Sequence, residues 1–309
     1  MIMTYSACCR AAVFFCCVFF LGCSDGSEGV VSGSDDGVVL EIHGDGRVYN
    51  NDPNVSIYDY AYDGEPIEKV VEDSERGDPY ATYLLGVLYF NDHPEYGIVR
   101  DVSKGRELLA NAWQLGAVDA GYSLFEVYSQ GVGGEKDIEV AISYLQESAE
   151  RGYVKSQFAL AEDYSDRGLV DYLDEDYDLA RKWFIAAAEQ GDRESCVALS
   201  AMYLKGLGVE ADEELAFEWI SRIEEMKFGR ERSGFRSIAW YYENGVGTDV
   251  DLVESYKYYD LLGSSGITDK ERLSEKMTPE QIQEAIRLSG EWQREHNISM
   301  PNSEGYQYR

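Results

Sequence analysis

Ala81-Thr82-Tyr83-Leu84-Leu85-Gly86-Val87-Leu88-Tyr89 is the stretch from which the rest of this 309-residue chain is read. Counting back from Tyr89, an aliphatic residue stands four places earlier and a small one eight places earlier. The arrangement returns at Tyr128, Tyr164, Tyr203 and Tyr242, at spacings of 39, 36, 39 and 39 residues. The aliphatic column holds Leu85, Leu124, Leu160, Leu199 and Ile238, and the small column holds Ala81, Ala120, Ser156, Ser195 and Gly234. Three places before the Tyr stand Gly86, Phe125, Ala161, Ser200 and Ala239, small in all but Phe125. Such positions share one face of a helix, so each unit opens with a helix whose buried stripe alternates small and large residues. A fixed period of this length marks a stacked array.

Beyond the Tyr, three units carry Gly131-Val132-Gly133, Gly206-Leu207-Gly208 or Gly245-Val246-Gly247. An acid follows at Asp101, Asp137, Asp176, Asp212 or Asp249, at distances from the Tyr of 12, 9, 12, 9 and 7 residues. Glycine ends a helix at positive φ and Asp caps the next one, so a second helix is expected in every unit. Its stripe runs through Val140, Ala141, Tyr144 and Leu145, through Leu179, Ala180, Trp183 and Phe184, and through Leu215, Ala216, Trp219 and Ile220. Trp113, Trp183 and Trp219 read as core. The second helix closes near Gly116, Gly152, Gly191, Gly229 and Gly266, and in units four and five it runs two residues longer. The Gly-x-Gly pairs lack the third Gly and the preceding strand of a phosphate cradle.

The units resemble the Sel-one-like repeat family, relatives of the tetratricopeptide repeats. The family pattern A-x-Y-x-L-G-x-x-Y is met by Ala81 to Tyr89. The later D-x-x-x-A-x-x-W-Y and A-A-E-x-G are echoed by Ala180-Arg181-Lys182-Trp183-Phe184 and Ala187-Ala188-Glu189-Gln190-Gly191. The resemblance covers about Glu65 to Arg294, with a partial unit before Gly77 and five full ones after it. It implies an all-α fold, a right-handed superhelical solenoid of antiparallel helix pairs sharing one continuous interior and leaving a concave groove for a protein or peptide. Met277-Thr278-Pro279-Glu280-Gln281-Ile282, leading to Trp292, resembles the terminal capping helix, with Thr278 as N-cap, Pro279 at the first position and Gln281 three residues on.

Composition narrows the partners. The chain has 58 Asp plus Glu against 27 Lys plus Arg, a net charge of −31. Nucleic-acid affinity comes mainly from neutralising phosphates, and this surface repels them, so nucleic acid is excluded as a partner. With 44% hydrophobic and 13% aromatic residues the chain has ample apolar surface to fold.

At the N-terminus the apolar run from Ala11 to Leu21 follows Arg10 and is shorter than the roughly 20 residues a spanning helix needs. It reads as a signal-peptide core, with residues 1–22 the signal peptide. Phe20-Leu21-Gly22-Cys23 resembles a bacterial lipobox, with Phe20 where Leu is usual, making Cys23 the lipidation site. By the same resemblance Ser24 favours the outer membrane, facing the periplasm. Residues 23–63 form the attachment and tether, Ser-, Gly- and Asp-rich from Ser24 to Gly37, with a small hairpin of Val38 to Ile42 and Arg47 to Tyr49 around His43-Gly44-Asp45-Gly46. The solenoid occupies 64–294 and the tail 295–309. After cleavage, with Cys23 the acylation candidate, only Cys196 remains, in an apolar helical stretch that implies buried packing.

No metal, cofactor or catalytic constellation is visible in the sequence: the three His are scattered and no Cys pair remains in the mature chain. Partner-binding residues are therefore placed on the first-helix face opposite the packed stripe. The column two before the Tyr supplies Val87, Glu126, Glu162 and Trp240; the column one after it supplies Phe90, Leu204 and Glu243. Apolar anchors beside acids suit a protein or peptide with basic or apolar segments. Two further readings stay open on the residues alone. Glu126 and Glu162, equivalent in adjacent units, would serve a periplasmic cell-wall hydrolase if they stood about 5 to 10 Å apart, and a spacer would bind nothing. The anchor makes its own prediction: fatty-acid label is incorporated into the protein, and Cys23→Ala abolishes it.

Overall fold

The computed structural model describes residues 66–165, 172–226, 230 and 232–296, with the backbone of 42–43 and 46–47. The chain divides into two units, Met1–Val39 and Leu40–Arg309. The first, with Cys23, lies outside the described residues, as do the rest of the tether save 42–43 and 46–47, Gly229 and the tail beyond His296. In the second unit Ile42–His43 (β1) pairs antiparallel with Gly46–Arg47 (β2), so the expected hairpin turns over two residues rather than four.

The other regular elements described are helices, apart from an isolated antiparallel bridge between His93 and Ile98. Helix α1 (Ile67–Glu75) is the partial unit. Five pairs follow: α2 (Pro79–Leu88) with α3 (Val102–Gln114), α4 (Asp119–Gln130) with α5 (Ile138–Glu150), α6 (Val154–Tyr164) with α7 (Tyr177–Glu189), α8 (Arg193–Lys205) with α9 (Glu213–Ser221), and α10 (Phe235–Asn244) with α11 (Leu252–Leu261). Helices α12 (Ile267–Ser274) and α13 (Pro279–Glu295) close the array. Within each pair the helices pack extensively, and each second helix packs on the next first helix, which is the solenoid architecture. The aliphatic column is buried at every unit, as are Ala81, Ala120, Ser156 and Ser195 of the small column.

One backbone device recurs in all five units. The N–H of an Asp donates to the carbonyl of the aligned Tyr: Asp101 to Tyr89, Asp137 to Tyr128, Asp176 to Tyr164, Asp212 to Tyr203 and Asp251 to Tyr242, at 2.8 to 3.0 Å. The same Asp side chain then accepts from backbone N–H groups in the first turn of the second helix. Unpaired carbonyls at one helix end and N–H groups at the next are thereby satisfied by a single residue. The cap in unit five is Asp251, which corrects the expectation of Asp249 and moves the Tyr-to-Asp distance there from 7 to 9. Nor do the second helices of units four and five run longer: α9 and α11 tighten into 3₁₀ turns at Arg222–Glu225 and Gly263–Gly266. Gly266 has no positive φ; Gly263 does. Gly266 stays small because a Cβ would lie 1.9 Å from the Tyr259 carbonyl.

The Gly-x-Gly loops do more than end helices. The first glycine of each takes the left-handed conformation at the helix end, and the second lies against the preceding unit. A Cβ on Gly247 would sit 1.9 Å from the Glu213 carbonyl, and one on Gly133 would sit 2.5 Å from that of Val102.

The interior is not uninterrupted. One apolar cluster runs from Val70 to Val127 and another from Ala161 to Trp292, with Leu145, Ala149 and Leu160 as a small cluster between them. At this junction the buried groups are polar and bonded. Ser148 Oγ donates to the Val118 carbonyl (3.1 Å), Ser156 Oγ donates to Ser148 Oγ (2.9 Å), and Gln157 Nε2 donates to the Ala149 carbonyl (3.1 Å). Phe125, large in a small column, is covered edge-on by Tyr172 from the long loop of unit three, ring centres 6.4 Å apart. Trp113, Trp183 and Trp219 are half-buried, not core. They lie at the stripe's edge, where Arg151, Lys182 and Arg222 sit over their faces at 4.4, 4.9 and 4.5 Å. The full burial falls to Phe184 and Ile220, one residue further on.

The terminal helix has the expected capping box, with Gln281 N–H donating to Thr278 Oγ1 (3.3 Å) and Thr278 N–H donating to Gln281 Oε1 (2.9 Å). Its Trp292 packs edge-on against Phe235 at 5.2 Å. Two consequences are testable by denaturant titration. Asp251→Ala is expected to cost about 1 kcal/mol as the loss of an N-cap, while Asp249→Ala stays within about 0.5 kcal/mol. Asp192, buried at the start of α8, has its carboxyl pushed up to about 6, with burial outweighing its bonds from Ser195. A raised folded pKa means the contribution is favourable below the ordinary value of 3.8 and is lost as pH rises through about 6. Asp192→Asn, which keeps a capping oxygen, is expected to flatten stability between those two pH values.

Candidate functional site

The two columns proposed for binding part company in the structure. In the column two before the Tyr, Glu126 and Trp240 are exposed and Val87, Glu162 and Ala201 are half-buried. The column one after it turns inward. Ser129 and Ser165 are buried and donate back to the carbonyls of Glu126 and Glu162, at 3.1 and 3.0 Å. Leu204 packs against the larger apolar cluster. Glu243 presents no free carboxylate: its side chain is 6% exposed and is held by Arg272, with Lys276 donating at 3.1 Å. Those two cations come from α12 and the turn after it, so Glu243 fastens the closing helices, and its carboxyl lies below the ordinary range because Arg272 and Lys276 bond it. Glu243 and Leu204 are thus integral to the fold where groove contacts were expected.

Val87, Phe90 and Glu126 come together. They line a pocket of about 330 Å³ between α2 and α4. Its apolar wall is Val87, Phe90, Leu109, Val127 and Val132; Asn91, Ser123, Glu126 and Gln130 supply its polar groups. Phe90 packs closely on α3 because Gly105 there has no side chain: a Cβ would be 2.9 Å from the ring. Ser123 Oγ is 3.1 Å from Tyr83 Oη, which ties α4 to α2 below the pocket. Of the α4 residues Ser123, Glu126, Val127 and Gln130, the column-by-column reading found Glu126 alone. Their spacing of three, four and seven is the signal that places them on one helix face.

Glu126 reaches solvent, yet protein crowds it on several sides. Desolvation pushes its carboxyl above the ordinary 4.5, and Lys155 draws it part of the way back. Next to it Tyr122 is pushed up to about 12 by burial first, and then by the charges of Glu126 and Glu162. Tyr122 packs edge-on against Tyr153 at 6.3 Å, so the acids of units two and three flank an aromatic wall. Trp240 stands apart in unit five, edge-on to Tyr241 at 5.3 Å. Cys196 is buried, which drives its thiol up to about 12 and makes it inert as a nucleophile. Among the described residues no group of acids, His and Cys has the geometry of a metal site, and no helix is long and apolar enough to cross a membrane.

The Sel1 repeat family matches residues 79–116, 118–153, 154–192, 193–225 and 236–266. The chain belongs to the Sel1 repeat family. Proteins of this family are in general protein–protein interaction scaffolds. A chitin synthase regulator of Saccharomyces cerevisiae is 29% identical over 212 residues, which are 65% of this chain and 29% of that protein. An uncharacterised protein of Neisseria meningitidis serogroup B is 25% identical over 202 residues, 65% of this chain and 40% of that protein. This chain thus spans less than half the length of either relative. Among solved structures, a Sel1 repeat protein from Oxalobacter formigenes superposes with a TM-score of 0.55 at 19% identity, covering 72% of this chain and 91% of that one.

The acids differ in what they do for stability. Glu243→Gln is expected to lose about 1–3 kcal/mol, since it removes charge-assisted bonds to two cations; Glu126→Gln leaves thermal stability unchanged or slightly higher. The pH signs are opposite. The lowered carboxyl of Glu243 contributes stability above the ordinary 4.5 that is lost as pH falls through its folded value. The raised carboxyl of Glu126 favours the fold as pH falls. Melting temperatures of both variants across pH 4 to about 7 check this.

Proposed function

We propose that this protein is a lipid-anchored scaffold of a bacterial envelope that binds a protein or peptide along the face of its first helices. The observation that carries the reading is the pocket between α2 and α4, where an apolar wall meets Glu126, an acid with no hydrogen bond or ion pair from its side chain among the described residues. A solvent-facing carboxylate without a side-chain partner beside apolar surface gains from a cation brought by a partner. The net charge of −31 favours the approach of such partners from a distance. Trp240, exposed on the equivalent column three units away, provides a second apolar contact for an extended segment. Family membership supports recognition over catalysis, and the lipobox at Cys23 supports attachment to the outer membrane on the periplasmic side, with the tether of 23–63 carrying the array away from the lipid surface.

The test is crosslinking in the native envelope from a probe placed at Trp240, read by mass spectrometry, with and without charge reversal at Glu126 and Glu162. A reproducible neighbouring protein whose yield drops in the reversed variant is the expected outcome. Loss of turnover of labelled cell wall in that variant would establish a hydrolase instead, and no neighbour at all would leave a spacer.

A further inference from the structure

The pocket between α2 and α4 is shaped for one kind of side chain. Val87, Phe90, Leu109, Val127 and Val132 form an apolar wall. Acceptors gather at the polar part of the lining: the Glu126 carboxylate and the amide oxygens available to Asn91 and Gln130, both exposed. The pocket, about 330 Å³ and open to solvent, has room for more than an aliphatic side chain. A wholly apolar ligand would leave the carboxylate of Glu126 desolvated and unpaired, which is costly. A ligand with an apolar stem and a cationic head satisfies both halves.

Among such ligands a guanidinium fits better than an ammonium. Its five donors lie in a fixed planar fork and can engage a carboxylate and neighbouring amide oxygens together, and its flat face stacks on an aromatic ring such as Phe90. Lys155 acts on Glu126 through its field and sits over the Tyr122 ring at 5.7 Å. The geometry points to an arginine side chain of a partner segment as the occupant of the pocket between α2 and α4, its stem along Phe90 and Val127 and its guanidinium on Glu126. This rests on the scaffold reading above and names the residue that reading would recognise.

The test uses the full chain with labelled Val and Leu methyl groups, titrated with N-acetyl-arginine amide and followed by NMR. Saturable shifts confined to the methyls of Val87, Leu109, Val127 and Val132 are expected. N-acetyl-citrulline amide, which has nearly the same shape without the charge, should produce none, and N-acetyl-lysine amide should bind more weakly than the arginine amide. Glu126→Gln, at unchanged melting temperature, should weaken the arginine response about tenfold, the size of one lost charge-assisted hydrogen bond. Gln130→Ala, a second rim variant, should weaken it less. Equal shifts with the citrulline amide, no shifts at all, shifts spread over the acidic surface, or full binding by Glu126→Gln would each overturn the proposal. The two readings fail separately. A crosslinked neighbour at Trp240 that survives free arginine amide and Glu126→Gln would sink the arginine pocket and keep the scaffold; absence of that neighbour alongside a working pocket would do the reverse.

Discussion

The array depends on a single backbone hydrogen bond made five times, from the N–H of a capping Asp to the carbonyl of the aligned Tyr. A helix ends with carbonyls that have no partner and begins with N–H groups that have none. In each unit one Asp serves both ends, taking the Tyr carbonyl with its backbone and the new helix with its side chain. That closes the hairpin at a constant point, whatever lies between. In units one and three the chain takes 12 residues to return to the clasp, and in units two, four and five it takes 9. Loop length has little thermodynamic cost once the ends are fixed, so the loops are free to vary while the helices keep their places.

The extra length has uses. The long loop of unit three brings Tyr172 edge-on to Phe125, the one large residue in a small column. The glycine loops act in the opposite way, with no side chain where one unit's loop meets the start of the previous unit's second helix. Between units two and three, serine and glutamine side chains bond one another and the backbone, so the break in the apolar interior leaves those groups satisfied. Stacked repeats tolerate such a change because each unit answers only to its neighbours.

Charge is distributed by the same local logic. Glu243 and Glu126 both stand on first helices, a few positions from the aligned Tyr, yet one is clasped by Arg272 and Lys276 and the other is not. The difference is position in the array. Unit five is followed by closing helices that bring cations to its edge, while unit two is followed by another copy of itself, whose α6 brings Lys155 near Glu126 without pairing it. That acid stands beside the apolar wall of Val87 and Phe90.

The helix pairs, the buried aliphatic column, the capping box at Thr278 and the inert burial of Cys196 were all legible in the sequence, because each follows from periodicity or from a cap within a few residues. Choosing between Asp249 and Asp251 was not legible in that way. Both are acids before a helix, and only the three-dimensional register puts the N–H of one against the Tyr242 carbonyl. The display columns show the same division. Spacing alone placed Val87, Phe90, Glu126 and Glu243 on one side of their helices, and for the first three that led to a common pocket. That Glu243 is taken by the closing helices, that Leu204 is packed, and that Leu109 and Val132 complete the pocket wall were decided by contacts between segments far apart in the chain. Such contacts depend on how one unit is seated on the next, and no single unit's sequence carries that information.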